Sequence, residues 1–123
     1  MEKPTSDIKK AVFCFEYVER IKSELIIAAK LIDVVNGLKG DEAAGAKKMM
    51  SSFFDAIFAE IGMAQNVLEV KDFEEAGKRV TEADQKMREN KSEEAIRFIS
   101  EAISRITTSG QGAIETLREK GLL

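Results

Sequence analysis

The sequence predicts an all-α fold, an irregular antiparallel bundle of four helices, or of five if the last helix breaks near Gly110. Three observations predict it. The only proline is Pro4, so no proline interrupts a helix after the first few residues. Apolar residues recur at three- and four-residue steps along most of the chain, the period of a helix rather than the alternation of a strand. Turn residues at Gly37 to Asp41 and at Asn90-Lys91, with a capping signal at Asp72, divide that pattern into four. At 123 residues and 44% hydrophobic, the chain reads as a single helical domain over residues 1–123, with apolar material for one core.

The first helix is expected from about Ser6 to Asn36, with Thr5 or Ser6 as N-cap and Gly37 just past its end. One apolar stripe runs through Ile8, Ala11, Phe15, Val18, Leu25, Ala29 and Ile32. A second, through Phe13, Tyr17, Ala28, Leu31 and Val35, falls on the other side and is interrupted by Arg20 and Glu24. The segment from Ala11 to Val18 has strand-like composition, but the charged residues on either side keep the helical phase.

The second helix, from Glu42 to about Val70, presents Ala46, Met49, Met50, Phe53, Ile57, Ile61, Ala64 and Leu68 on one face, and Phe54 and Phe58 widen that face. Asp72 to Glu75 has the pattern of a capping box that opens a third, shorter helix reaching about Glu89. Its stripe is Phe73, Ala76, Val80, Ala83 and Met87. Ser92 then caps a fourth helix to about Lys120. The run from Ile106 to Ala113 is rich in threonine, serine and glycine, yet Ile96, Ile99, Ile103, Ile106, Gly110, Ala113 and Leu117 keep one phase through it. A continuous helix is expected there, with Gly110 and Ala113 facing the core. Glu74 to Met87 and Glu93 to Ile106 echo one another, which resembles the helical hairpins of tetratricopeptide-like repeats without their full period.

Charge excludes several partners. With 19 Lys and Arg against 22 Asp and Glu, the net charge of -3 produces no field that would collect nucleic acid or an anionic membrane. No stretch has the eighteen or so apolar residues of a membrane span, no signal-peptide pattern follows the N-terminal charges, and the lone Cys14 suits a reducing compartment. A cytoplasmic location is the expectation. Cys14 itself, among Ala, Val and Phe, reads as a small buried hydrophobe.

The stretch Gly40-Asp-Glu-Ala-Ala-Gly-Ala-Lys-Lys48 is similar to a phosphate-binding loop, but its lysine comes one residue late, the hydroxyl that holds magnesium is missing, and the preceding segment is helical. Asp41 and Glu42 suit a helix N-terminus as cap and dipole partner instead. The chain has no histidine, which removes imidazole-based catalysis and imidazole metal ligands. Carboxylate sites for magnesium remain, and Glu16-Tyr-Val-Glu19 and Glu69-Val-Lys-Asp72 have the spacing that puts two carboxylates on one helix face. These pairs resemble the ligands of all-helical nucleotide pyrophosphohydrolases, which would imply a magnesium-dependent nucleotide hydrolase. A solvated charged face is the simpler account of both pairs, so no catalytic residue, metal or cofactor is assigned.

Two further readings come from apolar surface. Met49, Met50 and Met63 with nearby phenylalanines suit either core or a pliable groove for a partner helix. A pocket for a small apolar ligand between the first two helices would need an inward polar group, for which Lys22 or Asp33 are the candidates. The layout resembles small uncharacterised archaeal helical proteins, which implies a fold and no activity. Because the first two helices carry more apolar surface than one monomer covers, the leading expectation is a non-catalytic interaction or scaffold protein. It would act as a homodimer, or through another protein, with Phe13, Tyr17, Leu31, Val35, Phe54 and Phe58 at the interface.

Overall fold

Four helices make up nearly all of the chain in this computed structural model, which describes residues 4–123 and their side chains from Asp7 onward: α1 (Pro4–Asn36), α2 (Gly40–Leu68), α3 (Lys71–Arg88) and α4 (Ser92–Glu119). Connections of two or three residues force each helix to run back along its predecessor. α1 packs on α2, α2 on α3, α3 on α4, and α4 closes the ring on α1.

The core is a set of heptad seams. On α1 the buried positions are Ala11, Cys14, Val18, Ile21, Leu25, Ala28, Ile32 and Val35, stepping alternately by three and four. On α2 they are Met50, Phe54, Ile57, Ile61 and Ala64, and on α3 Phe73, Ala76, Val80, Ala83 and Met87, as the sequence predicts for the third helix. Spacing of this kind lets helices pack side by side at shallow angles with interlocking side chains. Burying each of the larger residues fully stabilises the fold by about 1.5–3 kcal/mol. No polar or charged residue is buried among the described residues, so the interior is held by apolar contact alone.

The α1 seam draws from both stripes expected of that helix and adds Cys14 and Ile21, which belong to neither. Phe15, placed in the core by the sequence pattern, is exposed instead. The seam that keeps strict heptad spacing is the one that α2 and α4 cover together.

α4 runs unbroken through Gly110, so no fifth helix forms. Gly110 is buried, and a Cβ at this position would lie 2.8 Å from Val18 Cγ1. The glycine is what lets α4 approach α1 so closely at this level.

The helix ends differ from expectation in a consistent way. α1 begins at Pro4, ahead of the expected cap at Thr5 or Ser6, whose side chains lie outside the described residues. α2 begins at Gly40 with Lys39 as N-cap, so Asp41 and Glu42 sit in the first turn as dipole partners and not as a cap. Asp72 is not a cap either. The turn before α3 is only Glu69 and Val70, the helix starts at Lys71, and the Asp72 carboxylate accepts a hydrogen bond from Ser109 Oγ of α4 at 2.9 Å. Ser92 likewise lies inside α4 and donates to Asn36 Oδ1 at the end of α1, at 2.9 Å. Residues of N-cap type here tie one helix to another. Further ties are Ser51 to Asp84 between α2 and α3, at 2.8 Å, and the Arg79–Glu101 ion pair between α3 and α4, at 3.2 Å.

Candidate functional site on the first two helices

The carboxylates with metal-ligand spacing are not brought together. Glu16 and Glu19 are exposed on α1, Glu69 is exposed in the α2–α3 turn with a left-handed backbone (φ 53°), and Asp72 is engaged with Ser109. Among the described residues no group of three or more His, Cys, Asp or Glu side chains is placed to hold a metal ion.

Cys14 lies beside a cleft of about 380 Å³ between the start of α1, the end of α4 and the α2–α3 turn. Its thiol donates to the Ser109 carbonyl at 3.6 Å, and burial, followed by the nearby Asp72 charge, pushes its pKa above the usual thiol value. A thiol held protonated in this way is a poor nucleophile. It is packing, as its sequence context suggests.

The six expected interface residues divide into three groups. Val35 and Phe54 are core, Phe54 being only 1% exposed, so neither is available to a partner. Phe58 is half-exposed but sits on the opposite flank of α2, its ring against Gly77 of α3. Phe13, Tyr17 and Leu31 share one face. Phe13 and Leu31 are exposed, and Tyr17 is half-buried with the Arg20 guanidinium 5.4 Å from its ring centre.

That face has a pattern of its own. Next to its core seam, α1 carries Phe13, Tyr17, Arg20, Glu24, Ile27, Leu31 and Val34, again alternating steps of four and three. α2 matches it with Ala46, Met49, Phe53, Ala56, Glu60, Met63 and Val67. The two strips adjoin: Leu31 and Val34 share a groove with Met49 and Phe53, and Arg20 pairs with Glu60 across the helices. Unlike the core seams, both strips reach the surface, although Tyr17, Ala46 and Phe53 are partly buried against the core. Val34 is 61% exposed, Met49 77% and Met63 55%.

The groove, about 240 Å³ and lined by apolar side chains, has neither Lys22 nor Asp33 in its wall. It therefore lacks the polar anchor that orients a small ligand.

Midway along the face the apolar surface is crossed by one charged layer. Arg20 Nε approaches Glu60 Oε1 to 3.0 Å, but without the angle of a hydrogen bond, and that shielded oxygen has no hydrogen-bonding partner. Glu24 is driven up to about 7, chiefly by burial, then by its hydrogen bond to Glu60 and the Glu60 charge, with Arg20 pulling the other way. Two carboxyl groups and one guanidinium make this layer acid-rich.

No family model, curated protein or solved structure matches the chain. The face must therefore be interpreted from its own chemistry. No helix among the described residues is long and apolar enough to cross a membrane.

The Glu24 environment has a measurable consequence. The folded protein binds this proton more tightly than the unfolded chain, whose carboxyl titrates near 4.5. Stability is therefore expected to fall as pH rises from about 4.5 to about 7, with the full penalty above that. Glu24→Gln, which keeps the shape and removes the charge, should raise the melting temperature at pH 8 by about 4 °C, or about 1 kcal/mol after discounting for solvent screening of a partly buried group. At pH 4 the two proteins should melt together. A difference of the same size at both pH values would refute the assignment.

Proposed function

We propose that this protein is a non-catalytic helical interaction module that works as a homodimer through the outer face of α1 and α2. The observation that carries this reading is the paired outward heptad strips, apolar at nearly every position except the Arg20, Glu24 and Glu60 layer. Heptad strips on adjoining helices have the geometry that interlocks with other helices.

Size supports the same reading. Phe13 to Val34 spans about 30 Å at helical rise, and two helices side by side are about 20 Å wide. Such a face offers about 600 Å² per copy in projection, at the lower end of the roughly 600–1,000 Å² per partner that stable interfaces bury. A second copy is the occupant whose own surface has the matching length, spacing and central polar layer, as a two-fold interface requires.

The test is solution mass by size-exclusion chromatography with light scattering, over a tenfold concentration range. The wild-type chain should run as a dimer. Ile27→Asp with Leu31→Asp places two charges on the α1 half of the face, one turn apart, and should weaken association at least a hundredfold while leaving helical circular dichroism unchanged, because both side chains already face solvent. A wild-type chain that remains monomeric across the range would sink the reading.

A further inference from the structure

The charged layer distinguishes between the ways in which two such faces can meet. Two two-fold arrangements keep all neighbouring helices antiparallel and superpose the polar layers. In one, the axis lies across the helices, so α1 rests on α1 of the second copy and Glu24 meets its own counterpart. In the other, the axis runs along the helices, so α1 rests on α2 of the second copy and Arg20 meets Glu60.

We infer, on the basis of the homodimer reading above, that the second copy docks with its α2 over α1, so that Arg20 of each chain is held between its own Glu60 and Glu60 of the other chain. Three observations carry this. Arg20 stacks on Tyr17 and pairs with Glu60, yet leaves 57% of its side chain exposed on the outer face. The guanidinium fork has five donors, enough to serve two carboxylates. Finally, the layer already crowds Glu24 against Glu60, so the arrangement that sets Glu24 directly over its own counterpart brings like charges face to face, whereas this one alternates Arg20, Glu60, Arg20 and Glu60 around a square. The apolar ends follow the same registry: Leu31 and Val34 of one chain lie over Met49 and Phe53 of the other.

Mixing experiments test the arrangement. Arg20→Glu and Glu60→Arg, each alone, turn the square into four like charges and should weaken self-association at least tenfold. Mixed in equal amounts, they set a negative pair on one chain against a positive pair on the other, so every contact across the interface joins opposite charges, and light scattering should show a heterodimer at least tenfold tighter than either homodimer. A second measurement fixes the geometry. In a Cys14→Ala background, Leu31→Cys mixed with Met49→Cys should give a disulfide-linked heterodimer on mild oxidation, and Glu24→Cys alone should give none.

If wild type is dimeric but Glu24→Cys links to itself, or the charge-swapped mixture stays monomeric, this arrangement is overturned and the homodimer reading stands. A monomeric wild type overturns both and leaves the face to a different partner.

Discussion

Phe54→Ala is expected to lower the melting temperature by about 10–20 °C, whereas Phe58→Ala, four residues on and the same chemical change, should lower it by no more than a few degrees. Phe54 is 1% exposed in the seam between α2 and its neighbours, and truncation leaves a cavity that the surrounding Ile and Met side chains refill only in part. Losses of about 3–5 kcal/mol are typical of such sites, a large share of the roughly 5–15 kcal/mol that holds a domain together. Phe58 is 50% exposed and leans on Gly77, so its removal uncovers little. Thermal unfolding by circular dichroism compares the two directly. Equal losses, or a Phe54→Ala variant that keeps its melting temperature, would show that the core phase of α2 has been misassigned.

The second large effect is expected at Gly110. An added Cβ would meet Val18 Cγ1 at 2.8 Å, and Val18 is buried and β-branched, with little rotational freedom to give way. For Gly110→Ala the gain in helix propensity, about 1 kcal/mol, offsets part of an overpacking cost of about 1–3 kcal/mol. Gly110→Val adds two methyl groups with no such freedom, and the loss should exceed about 3 kcal/mol. Val18→Ala opens space at the same contact. The double variant should therefore be more stable than the sum of the single losses predicts, by at least about 1 kcal/mol. Gly112 is the control: nothing lies within 4 Å of a Cβ there, so Gly112→Ala should stabilise slightly. Strict additivity of the Val18 and Gly110 changes in denaturant unfolding would refute the close approach.

Much of this architecture is visible in the sequence because periodicity is a strong signal where only one face is apolar. The α3 seam and the continuity of α4 through its glycines are both legible that way. α1 is not, because apolar residues surround most of it: Phe13, Phe15, Ile26 and Ile27 are exposed while Cys14 and Ile21 are buried. Which stripe is the core depends on where α2 and α4 sit, and one helix's pattern does not contain that.

Caps misled for a related reason. Asp72 and Ser92 are good cap residues, but their partners, Ser109 and Asn36, lie 37 and 56 residues away in the chain. The outer face was half legible. Phe13, Tyr17 and Leu31 belong to it, and Arg20 and Glu24, which seem to interrupt a stripe, are members of it. The signal available in the sequence was the strict alternation of four and three through those charges, repeated from Ala46 to Val67.

The ring order of the helices has a further consequence for how the molecule comes into being. Every residue of the outer face lies in α1 and α2, whereas the seam that closes the bundle joins α1 to α4, the last of the four to be synthesised. A growing chain therefore exposes this face well before the core that stiffens it is complete. The surface is made first and becomes rigid last, so the proposed pairing of two chains could begin on neighbouring ribosomes while each is still half-built.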